Sequence, residues 1–103
     1  MNRKDALRIA RDVKKLLLKR GYPVRRVFLF GSVASGKATA FSDIDIAVIT
    51  DPFRASQMEE KVDVHLASMD VHPHVETVTL RIEDLSIPFF TLAREIERTG
   101  VEV

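Results

Sequence analysis

The chain has 103 residues, 46% of them hydrophobic and 30% charged, with a net charge of +1 and no cysteine. That length holds one core, so a single domain over residues 1–103 is expected, and the composition is too apolar for disorder. Disulfides, thiolate zinc sites and cysteine nucleophiles are excluded, no apolar run approaches the ~18–20 residues that span a bilayer, and the opening MNRKDALRIARD has no signal-peptide core, which makes the cytoplasm the expected location.

Residues 4–20 read as an amphipathic helix, with Ala6, Ile9, Ala10, Val13, Leu16 and Leu17 at helical spacing, cations between them, and Gly21 and Pro23 as stops. Residues 26–30 (RVFLF) predict a buried strand that ends at Gly31, followed by a small-residue segment with room for one helical turn. Residues 44–49 (IDIAVI) predict a second strand with both faces at least partly covered. A helix is expected over 54–66 with Ala55, Met58, Val62 and Leu66 on one side. Strand character is then expected within 67–82, where Ala67, Met69 and Val71 alternate with Ser68, Asp70 and His72 before Pro73 interrupts. A last helix over 88–99 stops at Gly100, and Val101–Val103 suits an edge strand. This order predicts an α/β (α+β) domain with a small mixed sheet. Charge is divided along it: residues 1–26 hold ten Lys and Arg against two Asp, whereas residues 43–103 hold five basic residues against thirteen acidic ones.

The chemistry concentrates in residues 31–46. GSVASGKA comes within one residue of a phosphate-binding P-loop, but Ala38 stands where a hydroxyl should ligate magnesium, and only ATAFS separates Lys37 from the next acidic strand. The stronger pattern is Gly31-Ser32, ten residues, then Asp43-Ile44-Asp45. Asp43 and Asp45 are two apart at the start of a strand, so both project from one face, and two adjacent carboxylates are tolerated when a hard divalent cation lies between them. Gly31 permits close backbone approach to a phosphate, and Ser32 adds a hydroxyl donor. A phosphate cradle ending one strand and a carboxylate pair opening the next is equipment for metal-assisted nucleotidyl transfer. His72 and His74 lie on one side of a strand-like segment without a further clustered ligand, which favours a surface feature over zinc. Phe89 and Phe90 are core or partner-interface candidates.

The Gly31-Ser32 and Ser42-Asp43-Ile44-Asp45 pattern, with Gly36 inside it, resembles the signature of the DNA polymerase beta-like nucleotidyltransferase superfamily. The size resembles its smallest branch, the minimal nucleotidyltransferase (MNT) proteins of HEPN/MNT toxin–antitoxin pairs. The resemblance implies a small mixed sheet with helices packed on one side. It implies that Gly31 and Ser32 hold the β- and γ-phosphates of ATP, with Lys37 and Ser42 also at the nucleotide. It further implies two Mg2+ ions on Asp43 and Asp45, and a third carboxylate on a later strand that ligates one metal and activates the attacking hydroxyl. Asp70 is the first choice for that carboxylate and Glu76 the second. The implied activity is transfer of AMP to a HEPN-domain toxin, with neutralisation by contact alone as the alternative. The family's loop often carries Arg or Lys where this chain has Val33 and Ser35. Nucleic acid is disfavoured as a direct ligand, no membrane association is expected, and a homo-oligomer is left open.

Overall fold

The computed structural model describes residues 1–37 and 43–103. The first helix, α1 (Arg3–Lys19), opens on Asn2, whose side chain accepts the Asp5 amide at 2.8 Å. It closes at Gly21 (φ +86°), where the Gly21 and Tyr22 amides turn back to the Leu18 and Leu17 carbonyls. There follow β1 (Val24–Phe30), the short α2 (Gly31–Ser35), β2 (Ile44–Thr50), α3 (Gln57–Met69) and β3 (Val75–Arg81). A 3-10 turn (Ile82–Ser86), α4 (Thr91–Thr99) and β4 (Val101–Glu102) complete the described elements.

The strands form one mixed sheet in the order β3-β2-β1-β4. Strand β1 runs antiparallel to both β2 and β4, whereas β2 and β3 are parallel and joined through α3. Strand β2 is central, and every residue from Ile46 to Thr50 is buried. Alternation divides the sheet into two apolar faces. Val27, Leu29, Ile44, Ile46 and Val48 pack under Ala6, Ile9, Val13 and Leu17 of α1 and Val64 and Ala67 of α3. Phe28, Ala47, Ile49 and Leu80 point the other way and meet Ala93 and Ile96 of α4. The mixed α/β arrangement is the expected one. The layering differs in one helix: α1 and α3 share a face, but α4 lies on the opposite one, because β1 and β2 are apolar at successive positions and both faces must be covered.

Helix α3 departs most from expectation. Ser56 caps it, accepting the Glu59 amide at 3.2 Å, so the helix starts late and continues to Met69 in place of the strand expected from Ala67. Its orientation is also reversed. Met58, Val62 and Leu66 are exposed, and the buried face is Glu60, Val64, Ala67 and Ser68. Glu60 can face inward because its charge is fully met: it accepts from the amides of Phe53 (2.6 Å) and Arg54 (3.1 Å) and from Arg81 Nε (2.8 Å). Burial alone would raise the Glu60 carboxyl, but the Arg81 guanidinium and the two amides outweigh it and hold the group below its usual range. The three bonds tie the β2–α3 connection to the end of β3.

Candidate functional site

Strand β1 ends and α2 begins at Gly31, whose φ of +75° lies in the left-handed region. This glycine has a second reason to be there. A Cβ at position 31 would fall onto the Asp45 carboxylate oxygen and lie 3.0 Å from Asp45 Cγ. The cross-strand register explains the approach, since Phe30 is paired with Asp45 and the chain turns immediately afterwards. On the other side of Asp45, the parallel register sets Glu76 of β3 beside it. Strand parity places both carboxylates on the face that Ala47, Ile49 and Leu80 share with α4.

Glu76 and Asp43 therefore both act on Asp45 at the opening of β2. Burial raises the Asp45 carboxyl above the ordinary aspartate range, and the charges of Glu76 and then Asp43 raise it further. Asp43 itself is exposed. The donor set is all oxygen, which suits Mg2+, and its mutual repulsion is what a divalent ion would relieve. Among the described residues no three acidic or imidazole groups are already gathered around one point.

Asp70 is not part of this group. Instead of facing the site from a strand, it forms the C-cap of α3, and its carboxylate pairs with Arg20 at the end of α1, 2.7 Å away. Alternation read through Ala67, Met69 and Val71 misplaces it, because those residues complete a helix and its turn. Glu76, the second choice, is the acid that acts on Asp45. Ser32 is half-buried in α2, and its carbonyl accepts the Lys37 amide at 2.9 Å and the Ser35 hydroxyl at 3.1 Å. Lys37 is exposed. Ser42 lies outside the described residues. His72 and His74 are stacked edge to face on the surface, with the His74 amide donating to His72 Nδ1 at 3.1 Å.

A cavity of about 520 Å³ opens beside Gly31. Phe30, Gly31, Ser35 and Lys37 line one side, and Glu95 and Arg98 of α4 line the other. Nothing local in the sequence links α4 to Gly31. The pairing arises from packing Ala93 and Ile96 against Phe28 of β1, which brings the exposed side of the same helix alongside α2.

The family model described as polymerase beta nucleotidyltransferase matches residues 12–102. The chain belongs to the polymerase beta nucleotidyltransferase family. A solved structure classed as a nucleotidyltransferase, from Sulfolobus solfataricus, superposes on this nucleotidyltransferase with a TM-score of 0.70 at 18% identity, covering 97% of this chain and 80% of the other. A toxin–antitoxin structure with AMP-PNP is similar over 90% of this chain and 70% of its own, with a TM-score of 0.59 and 22% identity. A mutant MntA–HpeT toxin–antitoxin structure has a TM-score of 0.56 at 23% identity, over 90% of this chain and 69% of its own. At these identities the likeness concerns the fold, which is that of the polymerase beta-like nucleotidyltransferases. Comparison with curated proteins gives no match. No described helix of the nucleotidyltransferase is long and apolar enough to cross a membrane.

Proposed function

We propose that this nucleotidyltransferase uses ATP and Mg2+ to place AMP on a hydroxyl of a partner protein, as the antitoxin of a HEPN/MNT toxin–antitoxin pair. The observation that carries the reading is Gly31 pressed against Asp45 with Glu76 in register beside it. A bend without a side chain is thereby held directly over the Asp45 carboxylate. The relatives in toxin–antitoxin complexes, one of them with AMP-PNP, support the partner class and the nucleotide.

Asp43, Asp45 and Glu76 would hold the divalent metal, with Glu76 in the role first assigned to Asp70. When bound, the ion supplies positive charge against the triphosphate and Lewis acidity at the reacting phosphate. Gly31 and Ser32 bind the terminal phosphates, and Lys37 and Ser42 belong to the same nucleotide-binding segment. The acceptor oxygen bonds to the α-phosphorus, the bond from that phosphorus to its bridging oxygen breaks, and pyrophosphate leaves. The hydroxyl proton passes to Glu76, which has the activating role of the third carboxylate.

Incubation with ATP labelled at the α-phosphate, Mg2+ and the toxin encoded beside it tests the reading. Label on the toxin that disappears in Asp45→Asn is the expected result. A second reading, neutralisation by contact alone, is favoured by the uncharged loop positions, since Val33 is buried and Ser35 bonds within α2. A stable unlabelled complex with neutralised toxin would establish that reading and refute the transferase.

A further inference from the structure

We propose that Arg98 of α4 is the phosphate-binding cation of this site, acting with Lys37 across the cavity beside Gly31 on the terminal phosphates of a nucleoside triphosphate. This rests on the nucleotide reading above and adds a residue to it. A triphosphate brings several negative charges next to three carboxylates, so its binding demands cations close by. Within α2 none is offered: Val33 is turned into the core at 1% exposure, and the Ser35 hydroxyl is spent on the Ser32 carbonyl. Among the described residues lining the cavity the cations are Lys37 on the α2 side and Arg98 on the α4 side.

Other arginines of this region have structural employment. Arg94 donates to the Leu85 carbonyl and pairs with Glu97, and Arg26 forks onto Glu102. Arg98 is bound to Glu95, one turn back on its own helix, at 2.8 Å, with both side chains more than half exposed. An exposed pair of this kind contributes little to stability, so its exchange for a phosphate costs little. A guanidinium binds two phosphate oxygens at once, which an ammonium cannot match. Glu95 then has a defined effect: it lines the same cavity, holds Arg98 when nucleotide is absent, and competes with phosphate for it.

The two residues therefore act with opposite sign, and calorimetric titration of the intact protein with ATP, ADP and AMP in Mg2+ reads both. In the wild type, affinity rises with phosphate number. Arg98→Gln is expected to weaken ATP about tenfold and AMP less than about twofold, in line with loss of one charge-assisted contact. Glu95→Gln is expected to tighten ATP a few-fold, and that gain disappears in the Arg98→Gln background. Circular dichroism confirms that these surface variants are folded. An unchanged ATP affinity in Arg98→Gln, with the wild type still separating ATP from AMP, overturns this inference alone. Equal weakening of ATP and AMP overturns it too, by removing Arg98 from the phosphate end. A wild type that binds no ATP overturns the nucleotide reading itself.

Discussion

Replacing Gly31 by alanine separates two costs that the structure distinguishes. Gly21 and Gly31 both have positive φ, at +86° and +75°. A Cβ on Gly21 meets nothing within 4 Å, whereas a Cβ on Gly31 lands on the Asp45 carboxylate, 3.0 Å from Cγ and 3.2 Å from Cβ. Gly21→Ala therefore bears only backbone strain of about 1–2 kcal/mol, less about 0.4–1 kcal/mol returned by stiffening the unfolded chain. Gly31→Ala bears the same and must also displace Asp45 from its place beside β1, an overpacking cost of roughly 1–3 kcal/mol. The expected losses are about 0.5–1 kcal/mol for Gly21→Ala and about 2–3 kcal/mol for Gly31→Ala. Urea unfolding measures both through the midpoint at constant slope. Asp45→Ala, which removes the atoms struck first, should recover about 1 kcal/mol or more of the Gly31→Ala penalty in a double-mutant cycle. Equal losses at positions 21 and 31, or a Gly31 penalty indifferent to Asp45→Ala, would refute the argument that this glycine exists for the carboxylate.

Asp43→Asn and Asp45→Asn should each lower AMP transfer by at least about 100-fold in a labelled-ATP assay, a loss of roughly 2.7 kcal/mol of transition-state stabilisation, with circular dichroism unchanged. Because Asp45 has a raised pKa in the folded state, its ionisation opposes folding. Asp45→Asn should thus unfold at a higher temperature than the wild type at pH 7 without metal, and the difference should shrink as pH falls toward the unfolded aspartate pKa of about 3.9. Millimolar Mg2+ should raise the wild-type melting temperature and leave that of Asp45→Asn unmoved in calorimetry. Glu76→Gln should reduce transfer severely while Asp70→Asn leaves it at the wild-type rate, and the reverse pattern would restore Asp70 to the site. Glu60→Gln should cost about 2–4 kcal/mol in urea unfolding. The lowered pKa of Glu60 means that its contribution is complete above the unfolded glutamate value of about 4.3 and is lost as pH falls through its folded value.

Much of the fold follows from local pattern. The spacing in α1, the apolar runs of β1 and β2 and the stop at Gly100 depend on neighbours a few residues away, whereas the edge strand at Val101 is completed by pairing with Leu29 of β1. Helix α3 does not. Its apolar stripe of Met58, Val62 and Leu66 satisfies every helical rule for a core face, yet the sheet takes the opposite side because Arg81, 21 residues on, neutralises Glu60. The same distinction divides the site. Gly31, Ser32, Asp43 and Asp45 are marked by spacing within one turn and one strand. Glu76 is distinguished from Asp70 only by the parallel register of β2 and β3, and Arg98 only by how α4 crosses the sheet. Those facts belong to tertiary packing, which one-dimensional alternation does not encode.

Asp45 belongs to β2, which among the described strands is paired with β1 from Asp45 to Thr50 and with β3 from Ile44 to Thr50, and has helices above and below. Such a strand exchanges its amide hydrogens only when the entire molecule opens. An ion or nucleotide gripped there would slow deuterium uptake throughout β1, β2 and β3 together, so occupancy of the rim would be legible as protection in the middle of the sheet.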